Sequence, residues 1–194
     1  MDTHHNREHL AADVQERFLR YVRVHTTSDR HEDATPSSKR QFDLANLLAD
    51  ELRSLGVTDV TVTEFCYVIA RIPATDGVAS PALAFLAHLD TAPDSSGENV
   101  HPRVWENYDG STIEIGNGLR LDPAEYPDLS RFVGETIITA DGTTLLGADD
   151  KAGVAEIMAA VKYLADHPDL PHPELEVIFT PTRRSGAVWT SCRW

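Results

Sequence analysis

The chain has 194 residues, which is enough for one domain with a hydrophobic core or for part of a larger domain. Its net charge is −14, from 31 acidic and 17 basic residues, and such a surface repels phosphate backbones, so we expect no nucleic-acid partner. The polar N-terminus has no signal core, and no apolar run approaches the roughly 20 residues that span a bilayer, so we expect no membrane association and a cytoplasmic protein.

The cysteines and the N-terminal histidines do not predict a disulfide or metal site. Cys66 and Cys192 form no spacing motif, which argues against both a disulfide framework and a zinc ribbon. Residues 1–10 are polar and are expected to be flexible, so their histidine cluster is interpreted as part of a mobile terminus. That cluster consists of His4, His5 and His9.

Two amphipathic helices are predicted first along the chain. Apolar residues at helical spacing predict a helix over residues 11–24, which precedes the polar loop TTSDRHEDATPSS. A second helix is predicted from an N-cap region at Ser37 or Ser38 to about Leu55. Gly56 then stands where a helix C-terminal glycine belongs.

Several strands are predicted next. DVTVTEF alternates like a half-buried strand, and CYVIARIP is its expected partner. ALAFLAHLD (residues 82–90) is almost continuously apolar, which is typical of a central strand buried on both faces. A long excursion follows over residues 95–131, and loops of that length are often functional or inserted. ETIITADGTTLLGADD predicts a hairpin around the Asp141-Gly142 turn.

A third helix and a last buried strand, ELEVIFTP, complete the pattern. The helix is predicted by apolar residues from Val154 to Ala165 at helical spacing. Strand, helix and strand in this order predict an α/β fold with a mostly parallel sheet flanked by helices. We expect this domain to occupy residues 11–181.

The first candidate site directly follows the predicted central strand, in AHLDTAPD. His88 and Asp90 are two residues apart in a strand-like segment, so their side chains point the same way, and Asp94 follows. A neutral imidazole suits zinc, and a neighbouring carboxylate can fix its tautomer. For so short a motif, a strand-end histidine hydrogen-bonded to a turn is the commoner explanation.

The second candidate site is LLGADDKAGVAEIM. Gly147 allows a tight turn, and Asp149 and Asp150 stand at or just before a helix N-terminus, where negative charge is favoured. Helix capping by itself explains these carboxylates. The functional interpretation is a carboxylate at the end of one strand that faces a metal held at the end of another.

Together the two stretches resemble the zinc-dependent aminopeptidases of the peptidase T (tripeptide aminopeptidase) family. The resemblance also takes in RFLRYVRVHTTSD, LAHLDTAPDSSGENVHPRVWENYDG, VGETIITADGTTLLGADDKAGVAEIM and VIFTP. It covers nearly everything from residue 17 to residue 181, with a zinc exopeptidase-like catalytic domain as the implied fold.

The resemblance implies a site for two zinc ions on a parallel sheet and small peptides as substrates. His88 would be a zinc ligand, Asp149 would bridge the two metals, and Asp90 would orient His88 and help to poise the catalytic base. The Asp149-Asp150 peptide is often cis in this family. The family's inserted lid domain, which takes part in dimerisation, has no counterpart in this sequence, so no dimerisation of that kind is expected.

The sequence departs from the family pattern after Pro181. The family there has Asp-Glu-Glu-Val-Gly, whose first Glu is the general base and whose second is a zinc ligand, whereas residues 182–186 read TRRSG. A GC-rich gene can be written that encodes the family sequence at these positions. If one G is deleted from it after the Pro181 codon, the shifted reading frame encodes residues 182–194 of this chain. We therefore expect an aberrant, frameshifted tail, and a gene with no Asp-Glu-Glu-Val-Gly in any alternate frame would exclude this.

By family, the expected function is removal of the N-terminal residue from small peptides. We expect this chain itself to be inactive and to bind zinc weakly or not at all. Two alternatives remain open. One is a non-catalytic fragment or interaction module with the tail as its contact surface. The other is an acidic cation-binding module built from Asp90, Asp94, Asp149 and Asp150. Because further strands would be missing, we also expect residues 177–179 to form a partly uncovered apolar edge that favours aggregation.

Overall fold

The computed structural model describes residues 3–182, with the side chains of the first helix from Arg7 onward. The predicted aberrant tail, apart from Thr182, therefore lies outside the described residues. The α-helices of the described chain are α1 (Thr3–Tyr21), α2 (Gln41–Ser54) and α3 (Ala148–Asp166), and all three are predicted by the apolar spacing. Helix α1 begins before residue 11 because residues 3–10 contain neither Gly nor Pro, the two residues that most disfavour a helix.

Eight short strands and a 3-10 helix complete the described chain. The strands are β1 (Asp59–Val62), β2 (Val68–Ile72), β3 (Leu83–His88), β4 (Arg103–Trp105), β5 (Ile113–Gly116), β6 (Leu119–Leu121), β7 (Ile137–Thr139) and β8 (Leu175–Thr180). The 3-10 helix is Pro127–Phe132.

The main sheet has four strands in the order β1-β2-β8-β3. The predicted α/β class is confirmed, but the sheet is mixed rather than mostly parallel, since β1–β2 and β2–β8 are antiparallel and only β3–β8 is parallel. A short turn joins β1 to β2 and so requires antiparallel pairing. A connection that includes α3 separates β3 from β8, and a long crossover of this kind permits parallel pairing.

Strand β8 is central in this sheet, and β3 is an edge strand within residues 3–182. Val177 and Phe179 of β8 are fully buried, whereas Leu83 and Leu86 of β3 are 51% and 54% exposed. Both expectations for these strands are therefore wrong: β3 is not buried on both faces, and β8 is not the uncovered edge. An apolar run indicates that a strand can be covered, but it does not specify which neighbours cover it.

The long excursion after β3 forms small sheets of its own. Strand β4 pairs with β7, and β5 pairs with β6, both antiparallel. The predicted hairpin around Asp141-Gly142 is wrong, because β7 pairs with the distant β4 rather than with the residues after the turn. Gly142 instead approaches Gly116, and a Cβ on Gly142 would lie 2.6 Å from the Gly116 carbonyl oxygen.

One hydrophobic core lies between the main sheet and the three helices. It draws buried side chains from α1, α2, α3 and the strands β2 and β8, among them Tyr21, Leu48, Val68, Met158 and Phe179. Within residues 3–182, no helix combines the length and the apolar character that crossing a membrane requires.

Candidate metal centre

The candidate site lies where β3 and α3 meet, at the C-terminal edge of the parallel strand pair. His88 is the last residue of β3 and lies opposite Thr180, the last residue of β8. The chain enters α3 through Gly147, which has a positive φ of 78°. A Cβ at Gly147 would lie 2.9 Å from the Thr91 methyl group, so the close approach of these two segments requires glycine. Ends of neighbouring strands commonly bring polar side chains together in this way.

His88 is held between two carboxylates. Its Nδ1 lies 2.9 Å from Asp90 Oδ1 and 3.0 Å from the Asp90 carbonyl oxygen, and its Nε2 lies 2.9 Å from Asp149 Oδ1. A carbonyl oxygen can only accept, so Nδ1 carries a proton. Burial opposes protonation of the ring, but the hydrogen bonds to Asp90 and Asp149 and the charges of Asp90 and Asp150 outweigh it and raise the pKa of His88.

Asp90 is nearly buried and is bonded through both of its carboxylate oxygens. Oδ1 accepts from His88, and Oδ2 accepts from the Ser28 hydroxyl. Burial raises the pKa of this carboxyl, but the bonds from His88, Ser28 and Thr182 lower it by more, so the pKa of Asp90 lies below its ordinary value. Asp90 is therefore ionised and fixed in one orientation.

The two carboxylates at the start of α3 have different surroundings. Asp149 and Asp150 have non-helical dihedral angles and are joined by a cis peptide bond, as the resemblance implies. The Asp149 side chain is 69% exposed and reaches His88 from the solvent side. Asp150 Oδ2 instead accepts from the backbone N–H of His88 at 3.2 Å, and Gly153 leaves room for this carboxylate.

Asp94 is not part of this cluster. Its side chain is 79% exposed and pairs with Arg30 at 3.1 Å. Of the four carboxylates in the predicted oxygen-rich set, the structure therefore brings Asp90, Asp149 and Asp150 around His88 and leaves Asp94 with a cationic partner.

Two residues at the site were not predicted from the sequence. Ser28, which bonds Asp90, stands 62 positions away in the chain. Lys151 is 2% exposed and donates to the Val24 carbonyl oxygen at 2.6 Å, and burial lowers its pKa to about 8. One signal could have found Lys151: a cation in the first turn of a helix is unfavourable with respect to the helix dipole, so it calls for a tertiary partner. No such signal marks Ser28.

The donor set fits one part of a zinc site. With Nδ1 protonated and bonded to Asp90, His88 offers Nε2 as a ligand, and Asp149 offers an exposed carboxylate beside it. A catalytic zinc needs about three protein ligands. Among residues 7–182, whose side chains the structure describes, no group of three or more His, Cys, Asp or Glu side chains is arranged to hold a metal ion. The described residues therefore do not complete a zinc site.

Curated proteins that resemble the chain carry the name peptidase T. No protein-family model matches the chain. It is 49% identical over 173 residues to a peptidase T of Clostridium perfringens and 50% identical over 176 residues to a peptidase T of Bacillus velezensis. These matches include 89% and 90% of this chain but only 43% of each relative. The chain thus spans less than half the length of the curated relatives that it matches.

A solved structure is similar in fold. The aminopeptidase PepT from Bacillus cereus superimposes with a TM-score of 0.57 at 24% identity, over 87% of this chain and 35% of that protein. At this identity the likeness supports the α/β fold and not a shared activity.

Proposed function

Because the chain belongs to the peptidase T family, we propose that residues 3–182 form one part of the catalytic domain of a metal-dependent tripeptide aminopeptidase. The observation that supports this is the arrangement of His88 between Asp90 and Asp149 at the C-terminal edge of the β3–β8 pair. Zinc is the proposed metal, and small peptides with a free amino end are the proposed substrates.

We assign the roles within this site as follows. His88, through Nε2, and Asp149 are the proposed zinc ligands, and Asp90 orients His88 by accepting the Nδ1 proton. When bound, zinc ions would supply polarisation of the scissile carbonyl and a lowered pKa for a water molecule. The charge of Asp90 also favours a net negative site, which attracts a dication.

We propose that the 194-residue chain does not itself catalyse the reaction. Its described residues supply two zinc ligands, and residues 182–184 read Thr-Arg-Arg where the family is expected to have Asp-Glu-Glu. The general base and one further zinc ligand are thus absent from those positions. Tripeptide hydrolysis with added zinc should not exceed the rate without protein, and turnover that a chelator abolishes would contradict this proposal.

The metal assignment is tested by zinc titration. We expect His88→Gln and Asp149→Asn each to weaken zinc binding about tenfold or more, because each removes one of two ligands. His101→Gln and Asp94→Asn are matched controls, since both side chains are more than 70% exposed and lie outside the cluster. If the His88 and Asp149 variants bind zinc as tightly as the controls do, the proposed site is wrong.

A further inference from the structure

Residues 24–28, which we call the strap, connect the segment that follows β3 to the first turn of α3. The strap follows α1 and runs beside the residues after β3, where Ser28 N–H donates to the Thr91 carbonyl oxygen at 3.0 Å and Thr91 N–H donates to the Thr26 carbonyl oxygen at 3.3 Å. At its other end, the Val24 carbonyl oxygen accepts from Lys151 in the first turn of α3. The strap is therefore bonded both to the chain after His88 and to the chain after Asp149.

Ser28 is the strap residue that reaches the site itself. Its hydroxyl donates to Asp90 Oδ2, while Asp90 Oδ1 accepts from His88. A carboxylate bonded through one oxygen can rotate about its Cβ–Cγ bond, whereas one bonded through both oxygens to fixed groups cannot. The Ser28 N–H donates to the Thr91 carbonyl oxygen, which holds in place the backbone that carries this hydroxyl.

We propose that Ser28 is a positioning residue, whose hydroxyl fixes the Asp90 carboxylate and thereby holds His88 with Nε2 directed toward Asp149. This inference deepens the proposed function and rests on it, because the geometry that Ser28 maintains is that of the two proposed zinc ligands. Partners of this kind, one step removed from the metal, orient the ligand and commonly change metal affinity by about 10–100-fold.

Ser28 acts on Asp90 together with Thr182, whose side chain also hydrogen-bonds this carboxylate. The Ser28 bond is the one tied to the strap, and so it is the bond that couples α1 and α3 to the site. A hydroxyl at this position should suffice, so threonine should substitute for serine and alanine should not.

The proposal is tested with Ser28→Ala, with Ser28→Thr as the conservative rescue and with Thr27→Val as a matched control. Thr27→Val removes a hydroxyl from the same strap, but that hydroxyl faces Thr91 rather than Asp90. Far-UV circular dichroism checks that each variant of the full chain is folded. The first readout is the 15N chemical shifts of the His88 ring in the metal-free chain, and the second is zinc affinity by competition titration.

We expect Ser28→Ala to move the His88 ring shifts and to weaken zinc binding about tenfold, with Ser28→Thr close to the unmodified chain and Thr27→Val within about twofold of it. Unchanged His88 shifts or unchanged zinc affinity in folded Ser28→Ala would overturn the proposal. If the unmodified chain binds no zinc, the proposed metal site fails, and the His88 shifts alone then decide the role of Ser28.

Discussion

Replacing Glu51 by glutamine removes the central charge of a network that joins α1 to α2. Glu51 accepts hydrogen bonds from Tyr21 Oη at 2.7 Å and from Arg20 at 2.9 Å and 3.0 Å, and it forms an ion pair with Arg17. The side chains of Arg17 and Glu51 are only 5% and 13% exposed. Loss of this charge therefore leaves a buried guanidinium with less compensation.

The expected cost follows from these exposures. Removing one partner of a buried ion pair costs about 3–5 kcal/mol. Arg17 keeps a second partner, Asp13, at 2.8 Å, and Arg20 is 45% exposed, so its bond adds little. We therefore expect Glu51→Gln to lower the free energy of unfolding by about 3 kcal/mol, at the lower end of that range.

The measurement is urea denaturation followed by circular dichroism, in which a loss of about 3 kcal/mol lowers the midpoint by about 1.5 M for a slope of about 2 kcal/mol/M. Asp50→Asn is the control, because it changes the charge equally on the same helix but removes an exposed pair with Arg53 that is worth about 1 kcal/mol or less. Equal midpoints for the two variants would refute the reasoning about burial.

Three further predictions concern the site and the sheet edge. Asp90→Asn should weaken zinc binding about 10–100-fold in a competition titration, whereas Asp94→Asn should leave it within about twofold. In the metal-free chain, the raised pKa of His88 stabilises the fold at pH values below 6.5, the ordinary pKa of histidine, and this stabilisation is lost as the pH rises through the pKa of His88 in the folded chain. The lowered pKa of Asp90 stabilises the fold at pH values above 3.8, the ordinary pKa of aspartate, and this stabilisation is lost as the pH falls through the pKa of Asp90 in the folded chain. Urea midpoints should therefore show the contribution of the pair in full between about pH 4 and pH 6.5, and the loss of stability above about pH 6.5 should be absent from His88→Gln. Leu86→Lys on the exposed edge of β3 should reduce light scattering at high concentration with a stability change of about 1 kcal/mol or less, and unchanged scattering would show that this edge does not mediate aggregation.

The sequence predicts the strands and helices well, but it predicts poorly which strands pair with one another. The spacing of apolar residues in α2, and their alternation in the DVTVTEF stretch that contains β1, reflect which face of each element is buried. This information is local in the sequence, so it predicts the elements themselves. Whether β3 or β8 lies at the edge depends on pairing between segments almost 90 residues apart, which neither segment encodes. The hairpin predicted at Asp141-Gly142 fails for the same reason, since β7 pairs with a strand that precedes it by more than 30 residues.

For the candidate site, the sequence by itself identified His88, Asp90, Asp149 and Asp150, because each pair is close in the chain and directly follows a predicted strand or precedes a predicted helix. Only the tertiary structure decided that His88 and Asp149 are in contact and that Asp94 is not with them. It also supplied Ser28 and Lys151, whose roles depend on hydrogen bonds across 62 and 127 positions of the chain. A hydroxyl or an ammonium leaves no periodic pattern in the sequence, so its partner becomes evident only when folding brings distant segments together.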